Sequence, residues 1–288
     1  MRSRLIWPTW LLVVLAVFGL VGCDRANYHR SSGQWMHGDA SFTPQDPASF
    51  EPLDERFARD KLRGYCRGAV IDDSDGASFT VVSQTEARDR SNVYHCDTYR
   101  KAQEYWTAQH LRIVQIEGAD AATYVSLGEG YARDKHRVYI SGVPFKVRDP
   151  ASFEPLGGDF AHDAERGYYA RVEIPGSHGP SFESIDARDT AYARDRANAY
   201  YGYRDAASSD STGYPRRAVR TLRGADPAAL RVLGRDYAAD ARHVWHQGQP
   251  VVGADPATFV VEAADQGAAD AQDKSGGWKS GQRVGVAK

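Results

Sequence analysis

The chain has 288 residues, a formal net charge of −2 at neutral pH, 42% hydrophobic residues and a mean hydropathy of −0.56. This near-neutral balance gives no electrostatic case for nucleic acid, and the length suits one large domain or two ordinary ones. Sixteen tyrosines against two methionines favour strands over packed helices.

Residues 1–22 read as a signal peptide. Arg2 and Arg4 precede an apolar run, Trp7 to Val21, that is too short to span a bilayer comfortably. The run ends in Leu20-Val21-Gly22-Cys23, which resembles a bacterial lipobox. The resemblance implies cleavage before Cys23, diacylglycerol on its thiol and acylation (palmitate) of its amine, so that the chain meets the membrane through lipid on Cys23 and faces the periplasm. Asp24 resembles an inner-membrane retention signal, a rule that varies between bacteria and leaves both membranes open. Residues 23–33 read as a tether.

From there the chain repeats one unit. An Asp on a polar turn recurs at Asp60, Asp89, Asp134, Asp163, Asp195, Asp240 and Asp273. An Ala stands two residues before each, and a Tyr or Trp five residues after, from Tyr65 and Tyr94 to Trp245 and Trp278. Each unit opens on a landmark such as Asp149-Pro150-Ala151-Ser152-Phe153, where Asp caps a single helical turn and Pro fits its first position. A short strand, the Tyr-Ala strand, the Asp turn, the Val-Tyr strand, a Gly turn and a closing strand follow. The expected fold is all-β: repeated hairpins or three-stranded meanders over 34–278, stacked as an elongated array, with a closed propeller as the alternative. Trp35 to Gly38 reads as a partial first unit and residues 279–288 as a frayed tail. The regular aromatics read as a ladder, with the small Ala leaving space beneath a neighbouring ring.

The stretch Tyr131-Ala132-Arg133-Asp134-Lys135-His136-Arg137-Val138-Tyr139 resembles the DKNYY family of bacterial repeat proteins. The resemblance covers nearly the whole chain after the signal and implies neither an activity nor catalytic residues.

Few residues carry independent chemistry. Cys66 and Cys96 lie on corresponding strands of adjacent units and are expected to pair in an oxidising compartment, a bulge absorbing their one-residue offset. The His residues are scattered without ligand spacing, Asp72, Asp73 and Asp75 read as a solvated turn, and no Gly-x-Ser-x-Gly stands out, so neither cofactor, metal nor catalytic residue is assigned. The steps between reference aspartates are 29, 45, 29, 32, 45 and 33 residues, and the two long ones hold insertions at 97–111 and 203–217. The first carries Tyr99, Arg100, Tyr105 and Trp106, residue types that binding hot spots favour. Two functions follow: a non-catalytic envelope lipoprotein that binds a protein or glycan partner, which the sequence favours, and a hydrolase acting on cell-wall material through an insertion.

Overall fold

The computed structural model describes residues 27–101, 108–185, 191–209, 215–262 and 269–284. The chain is all-β. Among the described residues eight antiparallel sheets follow one another: a three-stranded sheet over 28–42, then four-stranded sheets over 51–71, 80–115, 125–145, 154–173, 183–221, 231–250 and 260–283. Each is a meander in which spatial order is chain order. The unit is one strand wider than a three-stranded meander because the segment after the helical turn also pairs, as Val125–Gly128 does with Tyr131–Arg133.

Both ends of the array reach further than the sequence suggests. Tyr28–Ser31 is not tether but a strand on Gln34–His37. It is held there because the Tyr28 ring packs on Phe42 and Phe50 and its hydroxyl donates to the Arg56 carbonyl at 2.8 Å. At the other end Gln282–Arg283 pairs with Gly276–Lys279, so residues 279–283 belong to the eighth sheet and not to a tail.

Strand alternation fixes how sheets meet. The Ala of each unit and the aromatic opposite it, paired as in Ala132 with Tyr139, point back to the preceding sheet. The residues flanking them, such as Tyr131 and Val138, point forward to the next. The aromatics do not stack directly on one another. The Phe of the helical turn stands between sheets: Phe79 lies 6.2 Å from Phe57 of the second sheet and 6.1 Å from Tyr94 of the third. Phe153 does the same between Tyr131 and Tyr168, at 5.7 and 5.8 Å. Among the described residues an apolar cluster lies at every junction of successive sheets, and none joins the first sheet to the eighth. The stack is therefore open, not a propeller ring.

The units also recur in blocks of three. Gly64 and Gly167 lie under the rings of Phe79 and Phe182, where a Cβ would stand 2.4 Å from a ring carbon. Gly76 and Gly179 press so close to the Asp60 and Asp163 carbonyl oxygens that a Cβ would stand 2.1 Å away. Ser74 and Ser177 bond the same pair of groups, accepting from the Gly64 and Gly167 N–H at 2.8 Å. The second sheet is thus the counterpart of the fifth, the third of the sixth, and the fourth of the seventh.

Candidate functional site

The turn at Asp134, Lys135 and His136 concentrates polar groups, and its geometry accounts for them. Asp134 Oδ1 accepts from the N–H of His136 and Arg137 at 2.7 and 2.8 Å. Oδ2 accepts from the Asp120 N–H at 2.9 Å and the Tyr139 O–H at 2.7 Å. One buried carboxylate therefore closes the turn, anchors the start of the preceding helical turn and satisfies the phenol of the outgoing strand. Asp60, Asp89 and Asp195 repeat the same four bonds, and Asp163 adds a fifth from the Arg148 N–H at 3.0 Å. Burial pushes these carboxyls up, but the sum of the donated bonds wins and holds them below the usual carboxylate range. Their tyrosines are raised, chiefly by burial and then by the carboxylate partner. These aspartates are structural hubs.

Cys66 and Cys96 form a disulfide with Cα atoms 6.6 Å apart. Their one-residue offset comes from alternation and not from a bulge. Cys66 follows Tyr65 and so faces forward, whereas Cys96 comes two residues after Tyr94 and faces back, which brings both into the apolar layer between the second and third sheets. Cys23 lies outside the described residues. Among the described residues no three His, Cys, Asp or Glu side chains gather as a metal cage. Asp75, in the acidic turn, binds Ser78 and Arg90 instead.

The insertions are extensions of strands. Val93–Tyr99 pairs with His110–Gln115, and Ala199–Ser209 with Pro215–Thr221, so two long hairpins rise from the third and sixth sheets. In the first, Tyr99 is 41% exposed at the strand end with its ring 5.4 Å from that of His110, and Arg100 follows it. Tyr105 and Trp106 lie outside the described residues. The strand carrying Tyr99 is braced at its base by an Arg112–Asp97 ion pair.

At the base of the second hairpin, the sixth, seventh and eighth sheets enclose a cleft of about 760 Å³. The Arg220 guanidinium lies 4.5 Å from the Tyr203 ring centre and donates to the Gln247 carbonyl at 2.7 Å. Gln249, with its amide oxygen turned inward, accepts from Arg220 Nη2 and Nε at 3.1 and 3.2 Å. Arg235, from a turn of the seventh sheet, adds to the basic wall, whereas Arg204 borders the cleft from the strand face it shares with Arg217, toward the fifth sheet. Both acids in the cleft are engaged. Asp236 accepts from Gln247 Nε2 at 3.1 Å, and buried Asp270 accepts from the Tyr237 O–H and Ser280 N–H, each at 2.8 Å. His246 packs 4.5 Å from the Tyr237 ring, and burial lowers its pKa, so it is largely neutral at pH 7. The arrangement suits binding of a polar, anionic group better than proton transfer, because neither carboxylate stands unengaged as a base.

Sequence reasoning pointed to the second insertion, whose first residue is Tyr203, but not to Arg220 or Arg235. A signal was present: Arg235 stands five residues before Asp240, at the place where Gly158 precedes Asp163.

Residues 33–172 match the DKNYY family. No curated protein and no solved structure matches the chain. The matched span runs from within the first sheet into the last strand of the fifth, and the cleft lies beyond it.

Proposed function

We propose that the DKNYY identity of residues 33–172 extends through the whole array, and that the chain is a non-catalytic binding protein tethered to the bacterial envelope by lipid on Cys23. One observation carries the binding reading: the repeated polar residues serve turns, whereas the cleft beside the second hairpin collects polar groups that no repeat position requires. The lipid anchor is supported by the lipobox-like Leu20-Val21-Gly22-Cys23 after an apolar run. A buried disulfide fits an oxidising compartment.

Each half has its own test. Expressed in a bacterial host with labelled palmitate, the chain takes the label and sediments with membranes, and Cys23→Ser loses both. An unlabelled wild-type chain in the soluble periplasmic fraction would remove the anchor. Crosslinking in cells followed by recovery of the chain returns a reproducible partner, lost on Arg220→Ala. Identical recovery from the variant would remove the cleft from the proposal.

A further inference from the structure

Building on the binding reading above, we propose that the cleft between the sixth, seventh and eighth sheets is a site for a carboxylated saccharide. The three-sheet duplication provides an internal comparison. At the same place one block earlier, Val114 stands for Arg220, Glu129 for Arg235 and Val143 for Gln249. The backbone pairings correspond: Val114 opposite His95 and Arg220 opposite Tyr201, Val143 opposite Ile140 and Gln249 opposite His246. The scaffold thus forms without any of the three polar side chains.

Arg235 sharpens the point. It holds a φ of 49° and is followed by Asp236 at 60°, two consecutive side-chain-bearing residues in the left-handed region. At the matching position the fourth sheet has Glu129 with φ 52° and the fifth has Gly158 with φ 63°. A side chain in this conformation strains the backbone. Among the described residues the Arg235 guanidinium has no hydrogen bond or ion pair that would offset the strain. An arginine that the fold does not use for a hydrogen bond or ion pair, placed beside Arg220 where the earlier block has Glu129, points to a ligand.

The lining sets the ligand's chemistry. Two guanidinium groups, Arg220 and Arg235, line the cleft with two carboxylates, Asp236 and Asp270, that already accept hydrogen bonds, beside a largely neutral His246. The Arg235 fork, beside Arg220, suits a single carboxylate, whose two oxygens match a guanidinium. A doubly charged phosphate would face the Asp236 carboxylate as well. The amides of Gln247, Gln249 and Gln282 both donate and accept, as the hydroxyls of a sugar require.

The test is calorimetric titration of the full chain with three probes: trigalacturonate, neutral galactotriose and triglutamate. Trigalacturonate binds at least tenfold more tightly than either of the others. Arg220→Gln and Arg235→Gly each weaken it about tenfold, the loss expected for one charge-assisted hydrogen bond. Because glycine relieves the turn, Arg235→Gly leaves the melting temperature unchanged or higher, which separates a ligand role from a folding role. Equal binding of acidic and neutral sugar, preference for triglutamate, no binding of any probe, or trigalacturonate binding that survives both substitutions would each overturn the proposal. If triglutamate binds and Arg235→Gly abolishes it, the saccharide assignment falls while the cleft's binding role stands. Loss of the crosslinked partner's dependence on Arg220 would instead remove that role.

Discussion

At the scale of single residues, the turn aspartates decide how the unit closes. Replacing Asp134 with Ala leaves the Tyr139 hydroxyl and the N–H groups of Asp120, His136 and Arg137 without their acceptor. Unmade bonds of this kind cost about 1–3 kcal/mol each when water cannot replace them. Asp134→Ala is expected to lose about 3 kcal/mol or more in denaturant unfolding, and Tyr139→Phe, which removes one donor, about 2 kcal/mol. A loss below about 0.5 kcal/mol for Asp134→Ala, ordinary for a surface change, would contradict the hub. The same groups set the response to pH. Folded carboxyls held below their unfolded value give stability that is complete above about pH 4 and is lost as pH falls through the lower folded values. The hub tyrosines are raised in the fold, so their contribution is complete below about pH 10 and is lost as pH rises toward their folded values. Melting temperatures should therefore be flat between these limits and fall on both sides. A marked fall between pH 5 and 9 would show that other groups dominate.

At the scale of elements, the disulfide ties the second sheet to the third across 30 residues of chain. Constraining a loop of that length stabilises by roughly 3–4 kcal/mol in the chain-entropy account. Cys66→Ser with Cys96→Ser is expected to lose about that much, read by urea unfolding, with the far-ultraviolet strand signal kept at low denaturant. Gly167→Ala should also destabilise the fifth and sixth sheets, since its methyl would meet the Phe182 ring. Much of this architecture was legible. The Asp, Ala and aromatic positions repeat in step, and an Asp before a Pro marks four of the helical turns, as at Asp149-Pro150, where the Asp149 side chain accepts from the Ala151 N–H. Other parts were not legible for physical reasons. That the expected short strand after the helical turn joins the same sheet, as Val125–Gly128 does with Tyr131–Arg133, is set by backbone pairing that no side-chain pattern marks. The Tyr139 hydroxyl bond to Asp134 is a property of packing two elements together, invisible in a pattern that explains the ring by burial alone. The cleft escaped notice because Arg220 and Arg235, 15 positions apart, converge only when the sixth and seventh sheets stack.

At the scale of the whole molecule, the open stack means that each sheet leans only on its neighbours. Stability in such an array is close to a sum of unit terms and junction terms, so the two ends are expected to behave differently. The second to sixth sheets have tyrosine hubs, and the second and third share the disulfide, whereas the last two hubs, Asp240 and Asp273, face Trp245 and Trp278, which bring no phenol. Native-state hydrogen exchange should show the eighth sheet opening first and the third last. Uniform exchange across the array would mean that it folds as one cooperative block. The cleft sits at this loosening end and is walled by three successive sheets. An occupant gripping all three walls would therefore act as a bolt on the free end of the stack, and its presence would be felt as slower unravelling of the terminal sheets before any change in the rest of the molecule.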